Sequence, residues 1–130
     1  MKRLFFALII SMATVVYGQN SLIGNYKLIA IQDKTTNTLD STRQEHGLTI
    51  NFETETKFTF NLSINRCMGS YHHDNVNINL KPGGCTEICC DTKLAEEFDK
   101  ILGEIDRFRI NKDDLILENL SRSLYLMKIE

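Results

Sequence analysis

The sequence contains no Cys-x-x-Cys motif, no cluster of lysines or arginines, no internal repeat and no low-complexity tract. Without a Cys-x-x-Cys motif, a thiol-redox site is the weakest of the roles open to its cysteines. Without a basic cluster, the surface has no electrostatic basis for binding nucleic acid. Acidic and basic residues are instead interspersed, which is typical of a solvated surface. We therefore expect no nucleic-acid partner.

The first 18 residues have the pattern of a secretory signal peptide. Lys2 and Arg3 precede an almost unbroken apolar run from Leu4 to Val16, and Val16-Tyr17-Gly18 offers a signal-peptidase site. The run is about five residues shorter than a comfortable transmembrane helix. No cysteine directly follows it to accept a lipid. We predict a secreted or periplasmic protein that begins at Gln19 and has no membrane span after cleavage.

Residues 19–130 are expected to form a single domain with one modest hydrophobic core. Loss of Lys2 and Arg3 with the signal peptide takes the formal net charge from −2 to −4. Alternating apolar residues and β-branched composition predict strands within Ser21–Asp33, Leu48–Phe52, Phe58–Ile64, Val76–Leu80, Phe108–Leu120 and Leu124–Ile129. We expect a surface loop over Lys34–Gln44, a turn over Asn65–Tyr71, and a strand end at Lys81-Pro82-Gly83-Gly84.

One amphipathic helix is predicted over about residues 92–102. Apolar residues recur there at helical spacing, namely Leu94, Ala95, Phe98, Ile101 and Leu102. Asp91 or Thr92 is a suitable N-cap, and Gly103 is suited to the position after the helix. Since strands and helices do not alternate, we predict an α+β fold: an antiparallel, curved β-sheet or β-roll with one amphipathic helix.

All four cysteines, Cys67, Cys85, Cys89 and Cys90, lie in one central segment. In a small exported domain they most often form two disulfides, each worth roughly 2–4 kcal/mol. Three pairings exist, and we favour the two that join Cys67 to Cys89 or Cys90, because a bridge between neighbours would be strained. The alternative is a zinc or copper site that uses these cysteines with His72 or His73. Export and the non-standard spacing favour disulfides.

No group of polar residues in the sequence indicates a catalytic site. His72-His73-Asp74 could form a metal clamp or a base with its carboxylate, but a polar β-turn explains it better. We therefore expect that replacing all three would cost little stability, about 0.5 kcal/mol. The acidic pairs Glu96-Glu97 and Asp113-Asp114 share no indicated pocket. We predict no catalytic residue, no metal and no cofactor, and hence no enzyme.

Two short motifs resemble those of META/HslJ-like domains. The segment Asn65-Arg66-Cys67-Met68-Gly69-Ser70-Tyr71 resembles the Asn-x-x-x-Gly-x-Tyr signature of that family, and Thr86 with Cys90 resembles its Thr-x-x-x-Cys motif. The layout of strands and helix is similar over about residues 22–129. The resemblance implies structural roles for Asn65, Gly69, Tyr71, Thr86 and Cys90, and it implies that Cys90 is buried and bridged.

The sequence also departs from the family pattern. Ile64 stands where the family often has a cysteine, so the usual disulfide of the family cannot simply be transferred to this chain. Tyr26 stands where a tryptophan is common. Neither change adds a reactive group.

The resemblance implies a bacterial envelope or secreted module without an established catalytic site. We therefore expect a disulfide-stabilised, non-catalytic monomer, either stress-related or an interaction protein, whose partner is a protein or a small ligand. One alternative is a calycin-like binder of a small apolar ligand, suggested by Gly24-x-Tyr26 at the start of a β-rich chain. At this length, side chains are expected to fill such a barrel. The other alternative is a metal-handling protein that uses Cys67, Cys85, Cys89 and Cys90.

Overall fold

The structure is a computed structural model that describes residues 21–41 and 47–129. The predicted signal peptide, its cleavage site and the end of the predicted Lys34–Gln44 loop lie outside these ranges. Among the described residues, no helix has both the length and the apolar character needed to cross a membrane.

The described residues form nine strands and one helix. Their bounds are β1 Gly24–Asp33, β2 Thr38–Ser41, β3 Thr49–Phe52, β4 Lys57–Asn61, β5 Arg66–His73, β6 Ile78–Cys85, α1 Lys93–Leu102, β7 Arg107–Asn111, β8 Asp114–Glu118 and β9 Arg122–Ile129. The strands make one antiparallel sheet in the order β6-β5-β4-β3-β1-β9-β8-β7, and β2 pairs with β1 beside β3. The predicted α+β fold with a curved antiparallel sheet is confirmed.

The sheet is curled into a half-barrel whose two ends meet at one corner. Asn77 bridges to Arg107, and the amide of Phe108 donates to the carbonyl of Val76 at 3.0 Å. These contacts join the start of β6 to the start of β7. The predicted helix is also confirmed, and it covers the sheet with its apolar face. The hydroxyl of Thr92 accepts the amide of Ala95 at 3.2 Å and caps the helix.

The inside of the curled sheet is filled by side chains. Its largest members are Phe52, Phe58, Phe60 and, from the helix, Phe98, each no more than 1% exposed. Phe60 and Phe98 meet edge to face with ring centroids 6.3 Å apart, which is a favourable aromatic geometry. Full burial of each such ring stabilises the fold by roughly 1.5–3 kcal/mol. The interior is therefore a packed core.

Four local predictions were wrong, two of them because pairing with another strand overrides local preference. The Lys34–Gln44 segment contains β2, because only the first half of β1 pairs with β3 and its second half needs another hydrogen-bonding partner. All of the predicted Asn65–Tyr71 turn except Asn65 belongs to β5, whose residues 66–70 pair with β4. Ile64 lies past the end of β4 and is 49% exposed. The Phe108–Leu120 strand is two strands, β7 and β8, separated by a turn in which Lys112 has a φ of 59°.

The predicted stop at Lys81–Gly84 was also wrong, because β6 continues through it to Cys85. Pro82 is tolerated there since β6 is the last strand in the order and needs amide donors on one side only. Pro82 lies opposite Gly69, and Cys85 lies opposite Cys67, so two residues of β6 face the one residue of β5 between these pairs, Met68. Gly83 and Gly84 supply the extra residue of this bulge.

Candidate functional site: a clamped cysteine loop

The two sequence motifs meet where a loop leaves the edge of the sheet. We call residues 86–91, which connect β6 to α1, the cysteine loop. Residues 86–90 of this loop are exposed, and Asp91 at its end is half-buried. Asn65, immediately before β5, lies beneath the loop and is only 8% exposed.

The Asn65 side chain makes four hydrogen bonds, all of them to the cysteine loop. Two go to the backbone of Ile88, one to the Asp91 carboxylate and one to the Thr86 hydroxyl. Its Nδ2 donates to the carbonyl of Ile88 and to Oδ2 of Asp91, each at 2.7 Å. Its Oδ1 accepts from the amide of Ile88 and from the hydroxyl of Thr86, each at 2.8 Å. A side-chain amide offers two donors and two acceptor positions. The hydrogen-bonding capacity of Asn65 is therefore used up within its own chain.

Thr86 links the loop to β5 as well as to Asn65. Its hydroxyl accepts the amide of Arg66 at 3.0 Å, and its own amide donates to the carbonyl of Arg66 at 3.0 Å. The first residue of the second motif thus extends the pairing of β6 with β5. The structure brings Asn65 and Thr86 together although 20 residues separate them in sequence.

Asp91 is the residue of this site that sequence reasoning missed, since it was considered only as a helix cap. Its Oδ1 accepts the hydroxyl of Ser63 at 3.0 Å and the amides of Ile64 and Asn65 at 2.8 and 3.1 Å. Burial raises the pKa of Asp91, but these hydrogen bonds, with that from the Asn65 amide, outweigh it and hold the pKa at about 2. Asp91 is therefore an anion at neutral pH. Its hydrogen-bond donors come from residues 63–65, which are distant in sequence, so no local sequence pattern indicates these contacts.

Gly69 and Tyr71, the other members of the first motif, lie further along β5. A Cβ on Gly69 would come within 2.5 Å of the Lys81 carbonyl oxygen and 2.7 Å of the Phe58 ring, so no larger residue fits. The hydroxyl of Tyr71 donates to the carbonyl of Thr54 in the β3–β4 turn. Burial, reinforced by the Glu55 carboxylate, raises the pKa of Tyr71 to about 12, which keeps this donor neutral.

The cysteines pair differently from either pairing favoured on sequence. Cys67, 1% exposed, is bonded to Cys85 across β5 and β6 because the bulge in β6 brings the two opposite each other. Cys89 is bonded to Cys90 in the exposed part of the cysteine loop. The expectation that Cys90 is buried was therefore wrong. The loop that carries it is held in place by Asn65 and Asp91, and Cys90 itself is exposed.

The alternative prediction was a metal site. In the described part of the chain, no group of three or more His, Cys, Asp or Glu side chains is placed so that it could hold a metal ion. His72 and His73 lie at the far end of β5 from Cys67. Six residues of extended strand cover about 20 Å. The histidines and cysteines are therefore remote from each other.

The prediction of a polar β-turn over His72-His73-Asp74 was wrong for the histidines. Both belong to β5, and alternation places His73 on the same face as Tyr71, so its side chain is only 4% exposed. The His73 ring lies 5.3 Å from that of Phe108, and its Nδ1 donates to the Asp74 carbonyl at 2.7 Å. Asp74 does form a turn: amide hydrogen bonds from Asn77 and Val76 lower its pKa to about 2.

A cleft of about 560 Å³ lies on the outside of the sheet, between β2 and the outer face of β1 and β9. Its lining is uncharged: Ile29, Ala30, Gln32, Asn37, Leu39, Ser41 and Tyr125. Ala30 and Gln32 alternate with the buried Ile31, which places the cleft opposite the core. The calycin-like alternative expected a ligand inside the curved sheet, where the structure instead has packed phenylalanines.

Comparisons with known proteins agree with this architecture. The structure of a DUF4847 family protein from Bacteroides vulgatus superposes with a TM-score of 0.64 at 14% identity, covering 82% of this chain and 94% of that one. The structure of a protein from Burkholderia xenovorans gives a TM-score of 0.64 at 20% identity, covering 82% of this chain and 81% of that one. Likeness at such identities shows the fold alone.

No curated protein sequence matches the chain at a significant level. The profile of the META domain, by contrast, matches residues 19–128, nearly the whole chain. That match includes both motifs that meet at the cysteine loop. The chain belongs to the META domain family.

Proposed function

We propose that this chain is a secreted or periplasmic, non-catalytic module that presents its cysteine loop to a protein partner. Membership of the META domain family suggests a non-catalytic module. The observation that carries the proposal is the Asn65 clamp. All four hydrogen-bonding positions of the buried Asn65 side chain are occupied by groups of the cysteine loop. Asn65 therefore holds the loop in place and has no hydrogen-bonding position left for a substrate.

The clamp favours binding because it fixes the loop before a partner arrives. Ordering a mobile loop on association costs free energy, and a preorganised loop avoids that cost. Two large aliphatic side chains, Ile88 and Ile64, are 58% and 49% exposed on the two segments that Asn65 and Asp91 tie together. A held pair of exposed apolar side chains is suited to act as an anchor in a protein interface.

The test compares two single substitutions of matched exposure in the immobilised exported chain. Ile88→Glu places a charge on the cysteine loop, whereas Leu39→Glu places one at a site 63% exposed on the outer cleft. We expect Ile88→Glu to reduce recovery of an envelope-fraction protein by about tenfold or more, while Leu39→Glu retains it. Both variants should melt as the parent does. An envelope fraction from which nothing is retained in an Ile88-dependent manner would refute the proposal.

A second candidate function is the binding of a small, uncharged, largely apolar molecule in the outer cleft. The observation in its favour is the lining, which has no charged residue although a quarter of the chain is charged. Its volume of about 560 Å³ lies in the range of small-molecule sites. Calorimetric titration with a set of small apolar ligands tests it. Binding should be lost in Ala30→Trp, which fills the cleft, and should persist in Ile88→Glu.

A further inference from the structure

The two disulfides differ in where they lie and in how much they stabilise the fold. Cys67–Cys85 joins Cys67, which is 1% exposed on β5, to Cys85, an exposed residue of the last strand of the sheet, and 18 positions separate the two residues. Cys89–Cys90 joins neighbours in an exposed loop. A bridge between neighbours closes no length of chain and so restricts the unfolded state very little. The second bridge therefore has no stabilising role comparable to that of the first.

The cysteine loop does not depend on Cys89–Cys90 for its position. On one side of the pair, the amide and carbonyl of Ile88 are bonded to Asn65. On the other side, Asp91 accepts three hydrogen bonds at one carboxylate oxygen and a fourth at the other. The loop is therefore fastened immediately before and immediately after the two cysteines. Opening the bond between their sulfurs leaves those fastenings in place.

We propose that Cys89–Cys90 is a thiol–disulfide exchange site that accepts electrons from an external dithiol, while Cys67–Cys85 is a permanent structural bridge. The absence of a Cys-x-x-Cys motif makes such a site unexpected from sequence. It follows here from an exposed bridge on a preformed, independently anchored loop. A disulfide between two exposed cysteines is the more labile kind, since exchange requires a thiolate to reach a sulfur, whereas Cys67 of the other bridge is buried.

The exchange balances without any group other than the dithiol. One thiolate of the dithiol attacks the sulfur of Cys89 or Cys90, the bond between the cysteines breaks, and the displaced sulfur leaves as a thiolate that takes a proton. The second thiol of the reductant then attacks the mixed disulfide and releases the other cysteine. Two electrons pass to the protein, the dithiol becomes a disulfide, and the loop carries two adjacent thiols.

Graded reduction of the full exported chain with dithiothreitol at neutral pH tests the proposal, with thiols trapped by N-ethylmaleimide and located by peptide mass mapping. We expect label at Cys89 and Cys90 to appear about tenfold faster or more than label at Cys67 and Cys85. At the point where only the first pair is labelled, the melting temperature and the far-ultraviolet circular dichroism should be unchanged. The reduced loop should bind one phenylarsine oxide per chain, a reagent for adjacent dithiols, and Cys89→Ser should abolish that binding.

Three results would overturn the inference. The first is equal labelling rates at all four cysteines. The second is a peptide map that joins Cys67 to Cys89 or Cys90. The third is a fall in melting temperature on selective reduction, for which the Cys89→Ser/Cys90→Ser double variant is the matched control. That variant should melt as the parent does, whereas Cys67→Ser/Cys85→Ser should melt at a lower temperature.

Discussion

Replacement of Asn65 by alanine tests the clamp most directly. The substitution deletes four hydrogen bonds and leaves Ile88, Thr86 and Asp91 without the partners that Asn65 provides. A neutral hydrogen bond contributes about 1 kcal/mol net, and one to a charged group about 1.5–3 kcal/mol. Since Ile88 and Thr86 are exposed, water replaces part of what is lost. We expect Asn65→Ala to lower the free energy of unfolding by about 3 kcal/mol.

Urea denaturation of the purified protein, followed by circular dichroism, measures this loss. A decrease of about 3 kcal/mol lowers the midpoint by about 1–3 M, because a domain of this size has a slope of about 1–3 kcal/mol per M. The matched control is Asn79→Ala, which removes the same group from an exposed position of β6 and should change stability by less than about 0.5 kcal/mol. A loss below about 1 kcal/mol for Asn65→Ala would show that the loop is not held as described.

The remaining predictions concern other parts of the same framework. Gly69→Ala should destabilise the chain by about 2 kcal/mol or more in urea titration, because the added carbon would press against the Lys81 carbonyl and the Phe58 ring; an unchanged midpoint would contradict this close packing. His73→Ala should cost about 2 kcal/mol, since its side chain is 4% exposed against aromatic rings, whereas the exposed His72→Ala should fall within about 0.5 kcal/mol; equal effects would restore the polar-turn interpretation. Because the folded pKa values of Asp91 and Asp74 are about 2, below their usual 3.8, the stability they contribute is fully present above pH 4 and is lost as pH falls toward 2. Asp91→Asn should make this acid loss shallower in unfolding curves measured from pH 5 to 2, and an unaltered slope would argue against the anion. Finally, Cys67→Ser/Cys85→Ser should lower stability by about 3 kcal/mol, from the loop that this bridge closes, as measured by calorimetry; a loss as small as that of the Cys89→Ser/Cys90→Ser variant would contradict the assigned roles.

Local patterns were sufficient for the parts of the fold that bury one face against the core. The alternation of Phe58 and Phe60 predicted β4, and the helical spacing around Phe98 predicted α1, because side-chain period reports directly on which face is buried. The same logic failed for β5, where Gly69 and polar residues weaken the pattern. That strand is fixed by its pairing with β4 and by the close approach of Phe58 to Gly69.

Only part of the candidate site could be predicted from the sequence. Asn65 and Thr86 were found through short motifs, but Asp91 was not, since a carboxylate just before a helix is equally well explained as a cap. The cysteines were found, but their pairing depends on the register of β6. One extra residue at Gly83-Gly84 brings Cys85 opposite Cys67, and no local propensity specifies such a bulge.

The sequence alone thus determined the fold class, the helix α1, most of the core and the segment that carries the site. These features follow from hydrophobic period and composition, which act over a few residues. Tertiary structure decided which cysteines meet, that Pro82 lies within an edge strand, that His73 is buried, and that Asn65 and Asp91 clamp the loop. Each of these depends on groups distant in the chain, whose hydrogen bonds and packing exist only once the sheet has curled and its register is set.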